Sequence, residues 1–256
     1  MAKRWADQPF ALIKETGILS RKDIPPDHPA VAMAQQMALS HNVILRGMNA
    51  SFNQCLGVQP GTTEAHDFLL FNQCLFEILQ QHHDVEETYM FGEIERLTKI
   101  DGIMDQNMQE HKDFHDGLER FRKYVFKTAA GDYDGQTLKA MLEGFGKIVE
   151  KHLHNEIPSL LELKDYDVTG LKRISKEAGK KFASAGDKYR HVPLFVGCSD
   201  RTFIFDGQNM PFPPLPFFVP YIIRFLFEPR HAGSWRFNPC DSFGQPRPLG
   251  FLNPEG

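Results

Sequence analysis

The sequence predicts an all-α protein: an up-down-up-down four-helix bundle followed by an irregular extension rich in proline and aromatic residues. Apolar residues recur at three- and four-residue steps over four long segments, and turns containing glycine or proline separate these segments. Four long helices with short connections pack most readily as an antiparallel bundle. With 256 residues, of which 41% are hydrophobic, the chain is long enough for one large domain with extensions.

The chain divides into three predicted parts. Residues 1–28 form an irregular N-terminal extension, and residues 29–165 form the bundle. Residues 166–256 form a C-terminal helix and the extension, which contains most of the 17 prolines and many aromatic side chains. Because this composition is too aromatic for a typical disordered segment, we expect the extension to pack on the bundle.

The first predicted helix begins at Pro29, a residue suited to the first helical turn, and ends at Gly57. The second begins at a capping residue, Thr62 or Thr63, and ends at about Thr98.

The third predicted helix runs from about Met104 to Thr128, and the fourth from about Thr137 to Leu163. A fifth, basic helix is predicted over residues 169–185, and we interpret its lysines and arginines as a solvated face.

Composition argues against several classes of protein. The net charge is −4 and no arginine–lysine stripe stands out, so no nucleic-acid partner is expected. No apolar run approaches the roughly 20 residues of a membrane span, and the N-terminus lacks the apolar core of a signal peptide. These features predict a cytoplasmic, intracellular protein. None of the four cysteines forms a C-x-x-C pair, so a zinc ribbon is not expected.

Histidine is the notable residue, because seven of the 11 copies fall in four short clusters, one on each predicted helix. A spacing of four places two side chains one turn apart on the same helix face, where both can reach one metal centre. Imidazole and carboxylate ligands suit iron, manganese or zinc, and a carboxylate can also bridge two ions. In chain order the candidates are a lone His41, His82 with Glu86, His111 with His115, and His152 with Glu156.

The second cluster allows two registers. His82 pairs with Glu86, whereas the adjacent His83 pairs with Glu87, and both histidines lie on apolar stripes. In the third cluster, His111 and His115 are both predicted to face the core, because they continue an apolar stripe of the helix.

These motifs resemble those of the hemerythrin, or HHE cation-binding, domain family over about residues 30–165. The matching patterns are a histidine followed by N-x-I-x-R, then HH-x-x-EE-x-x-x-F, HK-x-x-H and H-x-x-x-E-I-P. The W-R-F-N-P-C-D stretch at residues 235–241 also resembles fungal members of the family.

The resemblance implies a bundle around two non-heme iron ions, joined by an oxo or hydroxo bridge, with dioxygen as a ligand. The implied metal ligands are His41, His82, Glu86, His111, His115, His152 and Glu156, with His83 and Glu87 as the alternative pair.

Three functions remain open from the sequence. The first is a di-iron protein that binds or activates dioxygen, including an oxygenase or oxidase acting on a small organic molecule. The second is a non-enzymatic iron or oxygen sensor, and the third is a bundle with a structural metal. The aromatic segment at residues 210–227 is interpreted as packing, with a lid or a docking surface as the alternative. The sequence names no substrate and no oligomeric state.

Overall fold

The computed structural model describes residues 5–253 and confirms the all-α prediction. The helices are α1 (Pro29–Gln54), α2 (Thr63–Val85), α3 (Phe91–Thr98), α4 (Asp105–Lys127), α5 (Gly135–Leu161), α6 (Val168–Ser184), α7 (His191–Gly197) and α8 (Val219–Ile222). Two short antiparallel strands, β1 (Ile204–Phe205) and β2 (Gln208–Asn209), pair in register Ile204 to Asn209. No helix in the described part of the chain is long and apolar enough to cross a membrane.

Helices α1, α2, α4 and α5 form the predicted four-helix bundle. Helix α1 packs against α5 and α2, and α4 packs against the same two helices, so the four close into a ring around one apolar core. The predicted starts of two helices are confirmed: Pro29 lies in the first turn of α1, and the Thr62 hydroxyl accepts a hydrogen bond from the Ala65 amide at 3.2 Å.

The second predicted helix contains a feature that periodicity does not reveal. Between α2 and α3, residues Glu86–Met90 form a π-helical turn, in which the Phe91 amide donates to the Glu86 carbonyl five residues earlier. Such turns insert one extra residue into a helix and occur frequently at functional sites. This one begins at a predicted metal ligand.

The N-terminal extension is held on α1 by two buried asparagines. The Asn42 side chain accepts from the Ile13 amide and donates to the Ile13 carbonyl, both at 2.8 Å. Asn49 makes the same pair of bonds with Phe10, also at 2.8 Å. Each asparagine side chain thus supplies hydrogen-bond partners for backbone groups of the extension that no helix or strand pairs.

The C-terminal extension contacts the bundle through aromatic packing and backbone hydrogen bonds. The Phe237 ring lies 4.6 Å from that of Phe68 on α2, and the Gln54 side chain donates to the Phe237 carbonyl at 2.9 Å. The extension was predicted to lack helices, and α7 and α8 are corrections to that prediction. At seven and four residues, both are too short to establish a helical period.

Helix α6 lies across α1, α2 and the π turn, and it buries Leu171 and Ile174 against them. The lysines of α6 are exposed, which confirms the prediction of a solvated basic face. Its opposite side contributes to a cavity described below.

Candidate metal centre

The four bundle helices bring seven buried polar side chains together in the core. They are His41 of α1, His82 and His83 of α2, Glu86 at the start of the π turn, His111 of α4, and His152 and Glu156 of α5. Burying so many imidazoles and carboxylates is unfavourable unless they are compensated by a common partner.

The ligand atoms of these residues form two groups, each with its atoms within 4.8 Å of one another. The first group consists of His83, Glu86, His111 and His152. The second consists of His41, His82, Glu86 and Glu156. Glu86 belongs to both groups and therefore occupies the position of a bridging carboxylate.

Distances within the groups support the bridging position of Glu86. Its Oε1 atom lies 2.9 Å from His82 Nε2 in the second group, and its Oε2 atom lies 3.5 Å from His111 Nε2 in the first. In the second group, Glu156 Oε2 lies 3.3 Å from His41 Nε2. Two ligands at right angles on an ion with bonds of about 2.1 Å would lie about 3.0 Å apart, so these spacings fit two first-row metal ions.

The hydrogen bonds behind the imidazoles fix which ring nitrogen faces the cluster. His111 Nδ1 donates to Glu87 Oε1 at 2.6 Å, His152 Nδ1 to Glu110 Oε2 at 3.2 Å, and His41 Nδ1 to the Leu153 carbonyl at 2.7 Å. Because carboxylates and carbonyls only accept, each Nδ1 carries the proton, and each Nε2 directs a lone pair inward. Such partners orient metal-binding histidines.

Lone pairs therefore meet inside the cluster. The Nε2 atoms of His111 and His152 lie 3.0 Å apart, and the Nε2 atoms of His41 and His82 also lie 3.0 Å apart. Two neutral imidazoles that both present lone pairs repel each other, whereas a cation between them accepts both. The arrangement of donors thus fits metal ions.

The unpaired carboxylates of the cluster also fit a bound metal ion. Among the described residues, no hydrogen bond satisfies either carboxylate oxygen of Glu86 or Glu156, or Nε2 of His83. An unpaired buried polar atom is costly, and five such atoms converging at one place fit a bound cation.

Burial favours the uncharged form of these groups. It lowers the pKa of His82 to about 4 and that of His152 to about 2, with the charge of His111 adding to the effect on His152. Burial also raises the pKa of Glu156, and burial together with the nearby Glu156 charge raises the pKa of Glu86. Neutral imidazoles are the form that binds metal, and a cation would offset the burial of both carboxylates.

The prediction that His115 faces the core is wrong. Its side chain is 68% exposed and lies 3.5 Å from the Asp116 carboxylate, outside both ligand groups. Four residues advance a helix by about 400°, which leaves His115 about 40° from His111. Phe114, three residues after His111, continues the buried face of α4 instead.

Of the two pairs proposed for the second cluster, both histidines lie in the site but only one of the two glutamates does. His82 and His83 are each buried and belong to different groups, while Glu86 serves both. Glu87 is not in either group: its side chain is 39% exposed, and it accepts the hydrogen bond from His111. No sequence pattern indicates this supporting role of Glu87, or that of Glu110.

The two halves of the centre differ in their surroundings. The first group lies beneath Phe114, whose ring centroid is 5.0 Å from that of His83 and 5.6 Å from that of His152. In the second group, His82 and Glu86 line a cavity of about 410 Å³. A small molecule can therefore approach the second group from the cavity, while the Phe114 ring packs against two imidazoles of the first.

Fold and site together define a helical-bundle protein with a candidate centre for metal cations. Comparison with known families identifies it further: the Hemerythrin HHE cation binding domain matches residues 33–162, and the chain belongs to this family. A protein of Cryptosporiopsis sp. (strain 8999), called "Dimeric xanthone biosynthesis cluster protein R11", is 38% identical over 228 residues, covering 89% of this chain and 86% of that protein. No solved structure matches the chain significantly.

Proposed function

We propose that this protein is a non-heme di-iron protein that binds or activates dioxygen and acts as an oxygenase or oxidase on a small organic molecule. The observation that carries the proposal is a pair of histidine–carboxylate groups sharing Glu86, with one group facing a cavity. Sets that mix imidazole with carboxylate suit iron, and two histidines with a carboxylate and an open position are typical of iron oxygenases. Structural zinc sites more commonly use thiolates in a closed tetrahedron.

In this proposal, some residues of the protein orient the imidazoles and others leave one side of the centre open to reactants. Bound iron in its reduced state would supply the electrons and the open position for dioxygen. Glu87, Glu110 and the Leu153 carbonyl hold three imidazoles in the orientation that directs Nε2 inward. Phe114 packs against His83 and His152 of the first group, and the cavity side of the second group, at His82 and Glu86, is the place where reactants would meet.

The cavity favours an enzyme over a sensor or a structural metal bundle, because neither of those needs space for an organic molecule beside the metal. The name of the Cryptosporiopsis relative associates that protein with a biosynthesis cluster for a dimeric xanthone. By analogy, we propose a biosynthetic role for this chain, with a substrate of the kind that such pathways modify.

The first test is metal content. Purified protein is expected to hold about two iron ions per chain, because two ligand groups share one bridging carboxylate. Elemental mass spectrometry, with optical spectra of the reduced protein before and after exposure to air, measures both content and reactivity. Stoichiometric zinc, or iron whose spectrum is indifferent to dioxygen, would contradict the proposal and favour a structural metal.

Removing the metal is expected to lower the Tm by about 5–10 °C. A ligand present at a hundred times its Kd stabilises the folded state by about 2.7 kcal/mol, and a chain of this size shifts by about 2–4 °C per kcal/mol. Differential scanning calorimetry with and without chelator measures the effect. The Glu86→Gln variant is the control, since chelator should not shift the Tm of a protein that holds little metal. An unchanged Tm after confirmed metal loss from the native protein would count against a core site.

A further inference from the structure

The cavity at the metal centre has features that indicate what it binds. It lies between α1, α2, α6 and the C-terminal extension, and it reaches the cluster at His82 and Glu86. Its volume of about 410 Å³ falls within the range of sites for small organic molecules. Dioxygen alone would not need a space of this size.

Aromatic rings follow one wall from the cluster to the extension. The Phe182 ring lies 6.4 Å from that of the ligand His82, the Phe195 ring 5.6 Å from Phe182, and the Phe212 ring 5.9 Å from Phe195. These rings pack against one another edge-on or tilted, and an aromatic ligand can add to the row by the same kind of contact. The row therefore favours a planar ligand with one end at the metal centre.

Three methionines, Met33, Met37 and Met90, also line the cavity. Their flexible, polarisable side chains adapt to irregular apolar shapes and make favourable contacts with aromatic rings. Together with the phenylalanines, they give the ligand a surface made mainly of carbon and sulfur.

Polar side chains on the wall are bonded within the protein. Ser175 donates to the Gln36 side chain at 3.0 Å. Gln81 donates to a backbone carbonyl of α6 and accepts from His191 Nδ1 at 3.0 Å, while His191 Nε2 contacts Glu77 at 3.0 Å. A charged ligand would lose its hydration without gaining an ion pair from these groups, so this wall of the cavity selects against charge.

One lysine, Lys188, belongs to the cavity lining. It lies at the rim, and its ammonium contacts two aromatic rings that are not part of the lining. The Lys188 ammonium lies 5.2 Å from the Tyr189 ring centroid and 5.7 Å from that of Phe227, as in cation–π contacts.

We propose that this cavity binds a neutral, planar, largely apolar aromatic molecule and presents it to the second ligand group at His82 and Glu86. The inference rests on the proposed function insofar as this molecule is the substrate, but binding itself requires no turnover. Because Phe212, Pro213 and Leu215 of the extension line the cavity, the extension helps to select the ligand.

The experiment is a fluorescence titration of the metal-loaded full-length protein with naphthol and, separately, with naphthylmethylammonium. Both probes have the same two fused rings, but naphthol is neutral at pH 7, whereas the ammonium is cationic and has no lone pair with which to bind a metal ion. We expect naphthol to bind at least about tenfold more tightly, because the ammonium loses its hydration in the cavity without gaining an ion pair. Equal or tighter binding of naphthylmethylammonium would overturn the inference.

Two pairs of variants locate the binding. Ala178→Phe places a ring inside the cavity and should weaken naphthol binding about tenfold or more, whereas Ala32→Phe, on the solvent face of α1, should leave it unchanged. If Ala178→Phe does not fold, Phe212→Ala provides the test. Removing this ring should weaken binding about threefold to tenfold. Its control, Phe217→Ala, changes an 87% exposed phenylalanine of the same extension.

The outcomes separate this inference from the proposed function. A protein that holds iron and reacts with dioxygen, yet binds naphthol equally well in all variants, would refute the cavity as the binding site and leave the di-iron proposal intact. A protein that binds naphthol as expected but holds no iron would support the cavity and refute the di-iron proposal.

Discussion

Glu86→Ala is expected to remove most of the metal from both halves of the centre. Glu86 directs one carboxylate oxygen at each ligand group, so its loss takes a ligand from both ions at once. Changes to groups that merely support a ligand cost about 10- to 100-fold in metal affinity, and loss of a shared ligand should cost on the order of 100-fold or more. Elemental mass spectrometry after dialysis against a weak chelator measures the loss.

Two further variants make this result specific. Glu86→Gln keeps the shape of the side chain but removes its charge, so it should also lose metal while remaining folded. Glu143→Ala removes a glutamate from the exposed surface of α5 and should retain the native metal content. Native content in Glu86→Ala would show that this carboxylate does not bridge.

His83→Ala is expected to lose about half of the bound metal, whereas His115→Ala should lose none. His83 belongs only to the first ligand group, and the second group keeps all four of its residues when His83 is absent. His115 is 68% exposed and belongs to neither. Removing one of four ligands should lower the affinity of the first group for its metal ion by on the order of 100-fold.

This pair of variants also discriminates between the ligand set of the sequence motif and the set that the fold brings together. Metal content and circular dichroism should be measured on both proteins, since equal helicity would exclude unfolding as the cause. Metal loss in His115→Ala with native content in His83→Ala would reverse the assignment and require α4 to rotate in the metal-bound protein.

Much of the bundle could be predicted from the sequence because its apolar stripes repeat over several turns. Pro29 and Thr62 add local signals, since each favours a particular position at the start of a helix. The π turn at Glu86–Met90 could not be predicted in the same way. Its extra residue disturbs the helical period only locally, and the apolar pattern resumes in α3.

The ligand set was harder to predict, because a spacing of four is only approximately one helical turn. At His111 the choice of face was decided by Phe114, three residues on, and this spacing was the available signal that His115 faces outward. The sequence offers His82 and His83 as alternatives because adjacent helical residues point about 100° apart. A cluster with two ligand groups is wide enough to accept both of them.

The cavity could not be predicted from the sequence, because its walls come from distant stretches of chain. Phe182 follows the basic run of α6, and Phe212 lies in a proline-rich segment without a repeating pattern. Only the packing of α6 and the extension against α1 and α2 places these rings on one wall.

The division of the cavity between the helices and the extension bears on how such a protein can diversify. All seven residues of the two ligand groups belong to the bundle, whereas Phe212, Pro213 and Leu215 lie more than 50 positions beyond Glu156. Substitutions in the extension can reshape the cavity while every candidate metal ligand and its supporting carboxylate stay in place. Under the proposed function, reactivity and selectivity are encoded in separate stretches of chain, which allows one to change under selection or by design while the other is preserved.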